Sequence, residues 1–443
     1  MRRFAGIVAL AGLVVVAAFL PRPGPTAVTS FPEPTTPVDE ATGRASIWYC
    51  PWAESGSGVA AVFGLVSLRP GTAEFTLPAP AAAGDVPADQ FEITLGGPDA
   101  AAVFASEISV RASAPGYVEF DDGPATAGVL VSGDDLLSAD LCLTSSPKVW
   151  HLAGISTRID QQATLRLFNP FPENALVALS GVSEFGIVAM TDIATVDVPA
   201  RSWVDIDLDV ELPSFDQLAL TIRAERGIVL PAAALEGETD TAWWPASGLS
   251  TDWWFPGAVF PGFAGELAVT NPGDEPATIV IDLHTPDGLG AGAATITIPP
   301  NEPTRVNLAE LAAGAFGVRL RADRSIAAVV VGDGSAGVAA TTGARAAAVR
   351  WLLPGAGSAV DAVTTLWVLN PFDEQATVTI QALGPDTPPA EKVIIGPGAV
   401  RQIVAAGPGT TGYFVEGSTP LVVSWSAQAP RGIALTAAVP VGN

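Results

Sequence analysis

The feature that most constrains this chain is a turn that it repeats. LFNPFPENALVAL from Leu167, VTNPGDEPATIVI from Val269 and VLNPFDEQATVTI from Val368 each set an Asn-Pro pair at a corner. The pairs are Asn169-Pro170, Asn271-Pro272 and Asn370-Pro371, with the asparagines 102 and then 99 residues apart. Asn can bond its own backbone two residues on, Pro presets φ for the next corner, and neither fits the middle of a sheet ladder. Six residues after each Asn comes Ala (Ala175, Ala277, Ala376), and alternation follows. Ala277, Ile279, Ile281 and Leu283 point one way while Thr278, Val280 and Asp282 point the other, the period of a half-buried strand. Each Asn-Pro is therefore expected to be a hairpin corner.

A second marker runs in step. Trp48, Trp150, Trp254 and Trp351 each open an apolar run, at spacings of 102, 104 and 97. Markers recurring in order are an internal repeat. In the third copy the runs around Trp254 and at 265–270, 277–283, 294–298, 304–308, 315–321 and 326–331 read as short strands. That count suits an antiparallel immunoglobulin-like sandwich, and 45 Gly with 39 Pro suit a chain of many turns. The expected architecture is all-β: four tandem immunoglobulin-like modules at 46–147, 148–250, 251–349 and 350–443, each with its own core. An eight-bladed propeller, two blades per repeat, is the competing arrangement.

The first twenty residues differ from the rest. After Arg2 and Arg3, the stretch from Phe4 to Leu20 is uncharged and mostly apolar, and a helix-ending PRPGP follows. Both a cleaved signal peptide and a retained anchor helix fit, and either would export the remainder. Residues 21–45, rich in Pro and Thr, read as an extended tether. With 46 acids against 21 Lys and Arg the net charge is −25, which repels phosphate backbones and excludes nucleic acid as a natural partner.

Together the export segment, the Trp-opened repeats and the Asn-Pro corners resemble an uncharacterised family, a domain of unknown function, of exported β-rich repeat proteins in high-GC Gram-positive bacteria. The resemblance covers most of residues 46–443. That family has no established activity, so it implies no site residues.

The remaining constellations divide between structural and chemical readings. Cys50 and Cys142 form an even pair in an exported chain, which favours a disulfide. Gly332-x-Gly334-x-x-Gly337 imitates a dinucleotide fingerprint but lacks the acid expected about 20 residues later. Only His151 and His284 are present, too few for a His-rich metal site or a repeated triad. Asp205, Asp207 and Asp209 alternate along one strand face as a solvated outer surface, and their spacing matches no calcium loop. Trp243, Trp244, Trp253 and Trp254 cluster at the second repeat boundary, where packing between modules is favoured over a sugar platform. No catalytic residue, metal ligand or cofactor site is expected. The reading is a non-catalytic envelope scaffold, membrane-anchored or secreted, whose partners are envelope proteins or glycans; a glycan-binding protein and, more distantly, a secreted hydrolase are the alternatives.

Overall fold

Among the described residues, apolar runs broken by Gly, Pro and Asn corners form a succession of antiparallel strands with only single-turn helices between them. The computed structural model describes residues 46–443 apart from 57, 81–82, 84–85, 134–135, 238–239, 335–336, 360, 386, 406–409 and 442–443. The expected export or anchor helix at 1–20 and the tether at 21–45 lie outside the described residues. Among the described residues no helix is long and apolar enough to cross a membrane.

The first repeat holds β1 (Ser46–Cys50), β2 (Val59–Ser67), β3 (Gly71–Leu77), β4 (Asp89–Leu95), β5 (Asp99–Phe104), α1 (Ala105–Ile108), β6 (Gly116–Phe120), β7 (Ala125–Gly133) and β8 (Leu137–Leu141). The second holds β9 (Val149–Ile155), β10 (Gln162–Asn169), β11 (Ala175–Ser183), β12 (Gly186–Val188), β13 (Thr195–Val198), β14 (Ser202–Asp207), α2 (Leu208–Glu211), β15 (Leu218–Arg226), β16 (Leu230–Glu236) and β17 (Thr241–Pro245). The third runs through β18 (Ser250–Phe260), β19 (Phe263–Ala264), β20 (Glu266–Asn271), β21 (Ala277–Thr285), β22 (Gly288–Ile298), β23 (Glu302–Asn307), β24 (Phe316–Gly334) and β25 (Gly337–Thr342). The fourth has β26 (Ala348–Pro354), β27 (Val363–Leu369), β28 (Ala376–Leu383), β29 (Glu391–Ile395), β30 (Val400–Val404), β31 (Gly412–Gln428), β32 (Ile433–Ala437) and β33 (Val439–Val441).

One pairing pattern serves all four repeats. The second has β9-β15-β11, flanked by β12 and β13, and β14-β10-β16-β17; the first has β1-β6-β3-β4 and β5-β2-β7-β8. In the third and fourth repeats the long strands β24 and β31 run through both sheets and join them. The separate strands expected at 315–321 and 326–331 are thus one strand. Among the described residues no sheet closes on itself, and the two sheets of each repeat draw on interleaved strands, whereas two propeller blades per repeat would each take consecutive strands.

The Asn-Pro corners are corrected in one respect: they are not hairpins. Asn169 ends β10 in one sheet and Ala175 begins β11 in the other, so the corner carries the chain between sheets. Such a crossing leaves backbone groups without ladder partners, and the Asn side chain supplies them. Asn370 Nδ2 donates to the carbonyls of Glu374, Ile395 and Gly396, while its Oδ1 accepts from Phe372 N at 3.2 Å. Asn169 and Asn271 make equivalent bonds, and all three are buried.

The third Trp marker is also displaced by one residue. Trp150, Trp253 and Trp351 donate their indole N–H to the carbonyls of Val229, Ile326 and Leu421, so Trp253, not Trp254, holds the repeated core position. Trp254 points to the opposite face, where the Arg319 guanidinium lies 4.2 Å from its ring centroid. In the first repeat, Cys50 and Cys142 form a disulfide with Cα atoms 4.4 Å apart.

Separate cores are not found. One edge strand of each repeat, β8, β17, β25 and β32, packs against its counterparts in the cyclic order β8, β17, β25, β32 and back to β8. Four repeats therefore close into a ring around these strands. Asp240, at the start of β17, accepts from Leu137 N at 2.9 Å and Ile433 N at 3.1 Å, the starts of β8 and β32. Farther along, Asp140 on β8 accepts from Thr436 Oγ1 on β32 at 3.0 Å. The strands thus run in the same direction about the axis. Apolar packing is continuous as well: Val62, Leu130, Leu137 and Ala139 of the first repeat join the core of the third and fourth. Ala268, Val329 and Val331 of the third repeat join the core of the second. The cause is burial on both faces of one sheet in every repeat, which makes β16 and most of β7 continuous buried runs.

Candidate functional site

Ring closure creates four equivalent joints, each made by the residue four positions after the repeat Trp. At three of them that residue is glycine, and the approach leaves no room for a side chain on Gly154, on Gly257 or on Gly64, which faces Gly355. A Cβ on Gly154 would lie 2.7 Å from Val329 Cγ1, and one on Gly257 would lie 2.8 Å from the Trp367 ring. Gly355 meets Gly64 so closely that a Cβ on Gly64 would fall 2.3 Å from Gly355 N. The facing positions are equivalent too: Ala268 at the second joint and Trp367 at the third both stand three residues before their Asn.

The first joint departs from this pattern. Trp52 stands where the others have glycine, and it stacks on Trp243 of the second repeat at 5.7 Å between centroids and 8° between planes. Arg166 stands where the others have Ala268 and Trp367. Beside them opens a cavity of about 300 Å³, lined by Glu54, Val131, Leu136 and Ser138 from the first repeat. From the second repeat come Gln162, Thr164 and Arg166 of β10, Asp205 and Asp207 of β14, Ala234 and Glu236 of β16, and Thr241 and Trp243 of β17. Period-two alternation produces this lining: Gln162, Thr164 and Arg166 face the joint while Ala163, Leu165 and Leu167 enter the core.

Arg166 fixes the geometry. It is 4% exposed, and its Nε and Nη2 donate to the two Asp205 oxygens at 2.7 Å each, while Nη1 donates to Glu54 Oε1 across the joint. The guanidinium carbon lies 5.0 Å from the Trp243 ring centroid and 5.8 Å from that of Trp203. Burial alone would lower the Arg166 pKa, but the bonds and charges of Asp205 and Glu54 outweigh it and raise the value. Ser113 Oγ donates a further bond to Glu54 Oε1 at 2.9 Å. With Arg166 neutralised from two sides, Asp207 and Glu236 remain exposed at the rim. The arrangement can accept hydrogen bonds from N–H and O–H donors and attract positive charge.

The four boundary tryptophans are not an exposed platform: Trp243 is buried at this joint, Trp244 in the second repeat, and Trp253 and Trp254 in the third. Asp209 leaves the strand face on which Asp205 and Asp207 lie, because β14 ends at Asp207 and Asp209 turns into α2, accepting from Ala163 N at 3.0 Å. His151 Nδ1 lies 3.1 Å from Thr221 Oγ1, and burial, then the charge of Arg223, pushes its pKa down to about 4. His284 Nδ1 bonds the Gly398 carbonyl at 2.8 Å, and burial lowers its pKa as well. Gly332 and Gly334 lie in β24 and Gly337 begins β25, a strand where a dinucleotide site would open a helix. Among the described residues, no three His, Cys, Asp or Glu gather as metal ligands.

A family of unknown function, DUF5719, matches residues 125–333 and again 246–390. The chain belongs to this family. Two overlapping placements of DUF5719 on one chain are what an internal repeat produces. No curated protein matches the chain. The DUF5719 matches include β10, β14, β16 and β17 but begin beyond Trp52 and Glu54, so half of the first joint lies outside them.

Proposed function

We propose that this chain is a non-catalytic, extracytoplasmic scaffold of the cell envelope that engages a partner through the cleft at its first joint. In this reading four immunoglobulin-like modules, 46–147, 148–250, 251–349 and 350–443, close into a ring, and the N-terminal segment exports or anchors it. Two packed antiparallel sheets per repeat support the immunoglobulin-like description, although β9 lies beside β15 and β16 beside β10, so the first and last strands exchange sheets relative to the immunoglobulin order. The disulfide supports an oxidising compartment.

The observation that carries the proposal is the departure of the first joint from the other three. A ring needs only close packing at each joint, and glycine supplies it three times. Trp52, Glu54 and Arg166 instead build a polar cleft with an acidic rim. Glu54 and Asp205 are engaged by Arg166, which supports a binding role over a catalytic one. The lining of Gln162, Thr164 and Thr241 favours glycan hydroxyls and amino groups as the second reading.

Purified peptidoglycan, capsular polysaccharide and envelope proteins cross-linked from position 162, an exposed position of the same lining, should be compared between the chain with and without Asp207→Lys and Glu236→Lys. Recovery of one of them only by the chain without the two lysines is the expected result. Equal recovery by both proteins refutes the cleft. Hydrolysis of either glycan, abolished by a single carboxylate substitution, would replace the scaffold reading with a hydrolase.

A further inference from the structure

The third strand pairing of each repeat ends on an exposed edge. β4, β13, β22 and β29 are equivalent: each pairs with one neighbour only, β3, β11, β21 and β28 respectively. An unpaired edge offers a row of backbone donors and acceptors to any strand that approaches, and charged side chains are a usual protection against this. Three of the four edges have that protection. β4 carries Asp89 and Glu92, β13 carries Asp197, and β29 carries Glu391 and Lys392. β22 carries no charge over 11 residues, and most of it is exposed.

We propose that the β22 edge is a self-association surface, pairing antiparallel with β22 of a second copy to make a two-fold homodimer. Occupation by a second copy follows from charge. A chain with a net charge of −25 repels its own copies, and like charges set opposite each other across a ladder are destabilising. Self-pairing places each residue against one from the same strand, so the wholly acidic edges β4 and β13 resist it, and β22 is the one of the four that brings no charge to the contact. Register follows from geometry. Asp282 faces a bulge, with Gly292 N donating to its Oδ1, which breaks the register of β22 between Gly290 and Ala294. Ala294–Ile298 remains in regular register with β21. A two-fold axis at Ile296 then sets Thr295 opposite Thr297 of the second copy, a favourable cross-strand pair.

Sedimentation equilibrium of the purified chain across micromolar concentrations should show a mass rising toward twice that of the monomer. Thr295→Lys with Thr297→Lys should hold it at the monomer with an unchanged melting temperature, whereas Ile394→Lys on the equivalent β29 edge should leave the dimer intact. Ile296→Cys, at the two-fold centre, should form an intermolecular disulfide under mild oxidation, and this measurement decides if the double lysine variant fails to fold. A monomer at every concentration, with no cross-link in the Ile296→Cys variant, overturns the proposal, as does a dimer that persists in the folded double lysine variant.

Discussion

Replacing Asn271 with Ala tests whether the ring is one cooperative body. Asn271 is 1% exposed; its Nδ2 donates to the Glu275 and Ile298 carbonyls at 2.8 and 3.2 Å, and its Oδ1 accepts from Gly273 N at 3.1 Å. At about 1 kcal/mol net for each of these bonds, the substitution costs about 3 kcal/mol. What distinguishes the architectures is how that cost appears on heating. Unfolding entropy near 60 °C is about 2.1 cal/mol/K per residue, so a unit of roughly 400 residues has about 0.8 kcal/mol/K and a module of roughly 100 has about 0.2. The same 3 kcal/mol therefore lowers Tm by about 4 °C for a ring that melts as a whole, but by about 14 °C for an independent third module. Scanning calorimetry should give one endotherm displaced by the smaller amount. A separate transition displaced by the larger amount, with the remaining heat uptake in place, would refute the continuity of the core around the ring.

Removing the disulfide through Cys50→Ser and Cys142→Ser should cost about 4–5 kcal/mol in the chain-entropy model, and it should shift the single endotherm instead of melting the first repeat alone; calorimetry with and without reductant checks this. Burial pushes Asp140 up to about 8 and Asp240 up to about 7, against the opposing effect of their hydrogen bonds. The folded ring then holds more protons than the unfolded chain from the ordinary carboxylate value upward, so Tm should fall as pH rises through that window, and Asp140→Asn should flatten the fall. His151 has the opposite sign: pushed down to about 4, it contributes stability above its ordinary value of 6.5 that is lost as pH falls toward 4, and His151→Gln should remove that part of the acid limb in a Tm series. Arg166→Ala should cost about 2 kcal/mol, less than for a fully buried pair because Glu54 and Asp205 are 29% and 38% exposed; Arg166→Lys should not restore it, since the two-point contact with Asp205 needs a guanidinium, and urea unfolding of the three proteins measures both.

Strands and corners were legible in the sequence because their causes are local. The alternation after Ala277 and the Asn-Pro pairs each act within a few residues, and both appear where the pattern places them. What connects the elements was not local. Whether Asn169 turns a hairpin or crosses between sheets depends on which distant strands flank β10, here β14 and β16. The displacement from Trp254 to Trp253 arose because β18 holds two adjacent tryptophans, and only the bond to the Ile326 carbonyl identifies the inward one. A signal for shared cores was nevertheless present. LPAAAL at 230–235 and IAAVVV at 326–331 lack the alternation that a half-solvated sheet would show, and such runs mark strands covered on both faces.

The cleft was hidden for a different reason. Glu54 and Arg166 are separated by 112 positions, and neither belongs to a motif with a fixed spacing. Comparison of the chain with itself does mark them. Once Trp253 is known to hold the third marker position, counting four residues from Trp48, Trp150, Trp253 and Trp351 gives Trp52, Gly154, Gly257 and Gly355, and counting three back from each Asn gives Arg166, Ala268 and Trp367. In a ring of equivalent units, structure is satisfied by whatever the majority of copies carry. A position where one copy replaces the smallest residue with the largest, opposite a position where the same joint buries a charge, is under a demand that packing alone does not impose. At the second joint Arg305 also donates to the Gly154 and Ile155 carbonyls, but it stays 20% exposed and pairs with Glu266 of its own repeat, whereas Arg166 needs two carboxylates and two indole faces to be tolerated at 4% exposure. That extra machinery at the first joint is the physical ground for the proposal that recognition takes place there.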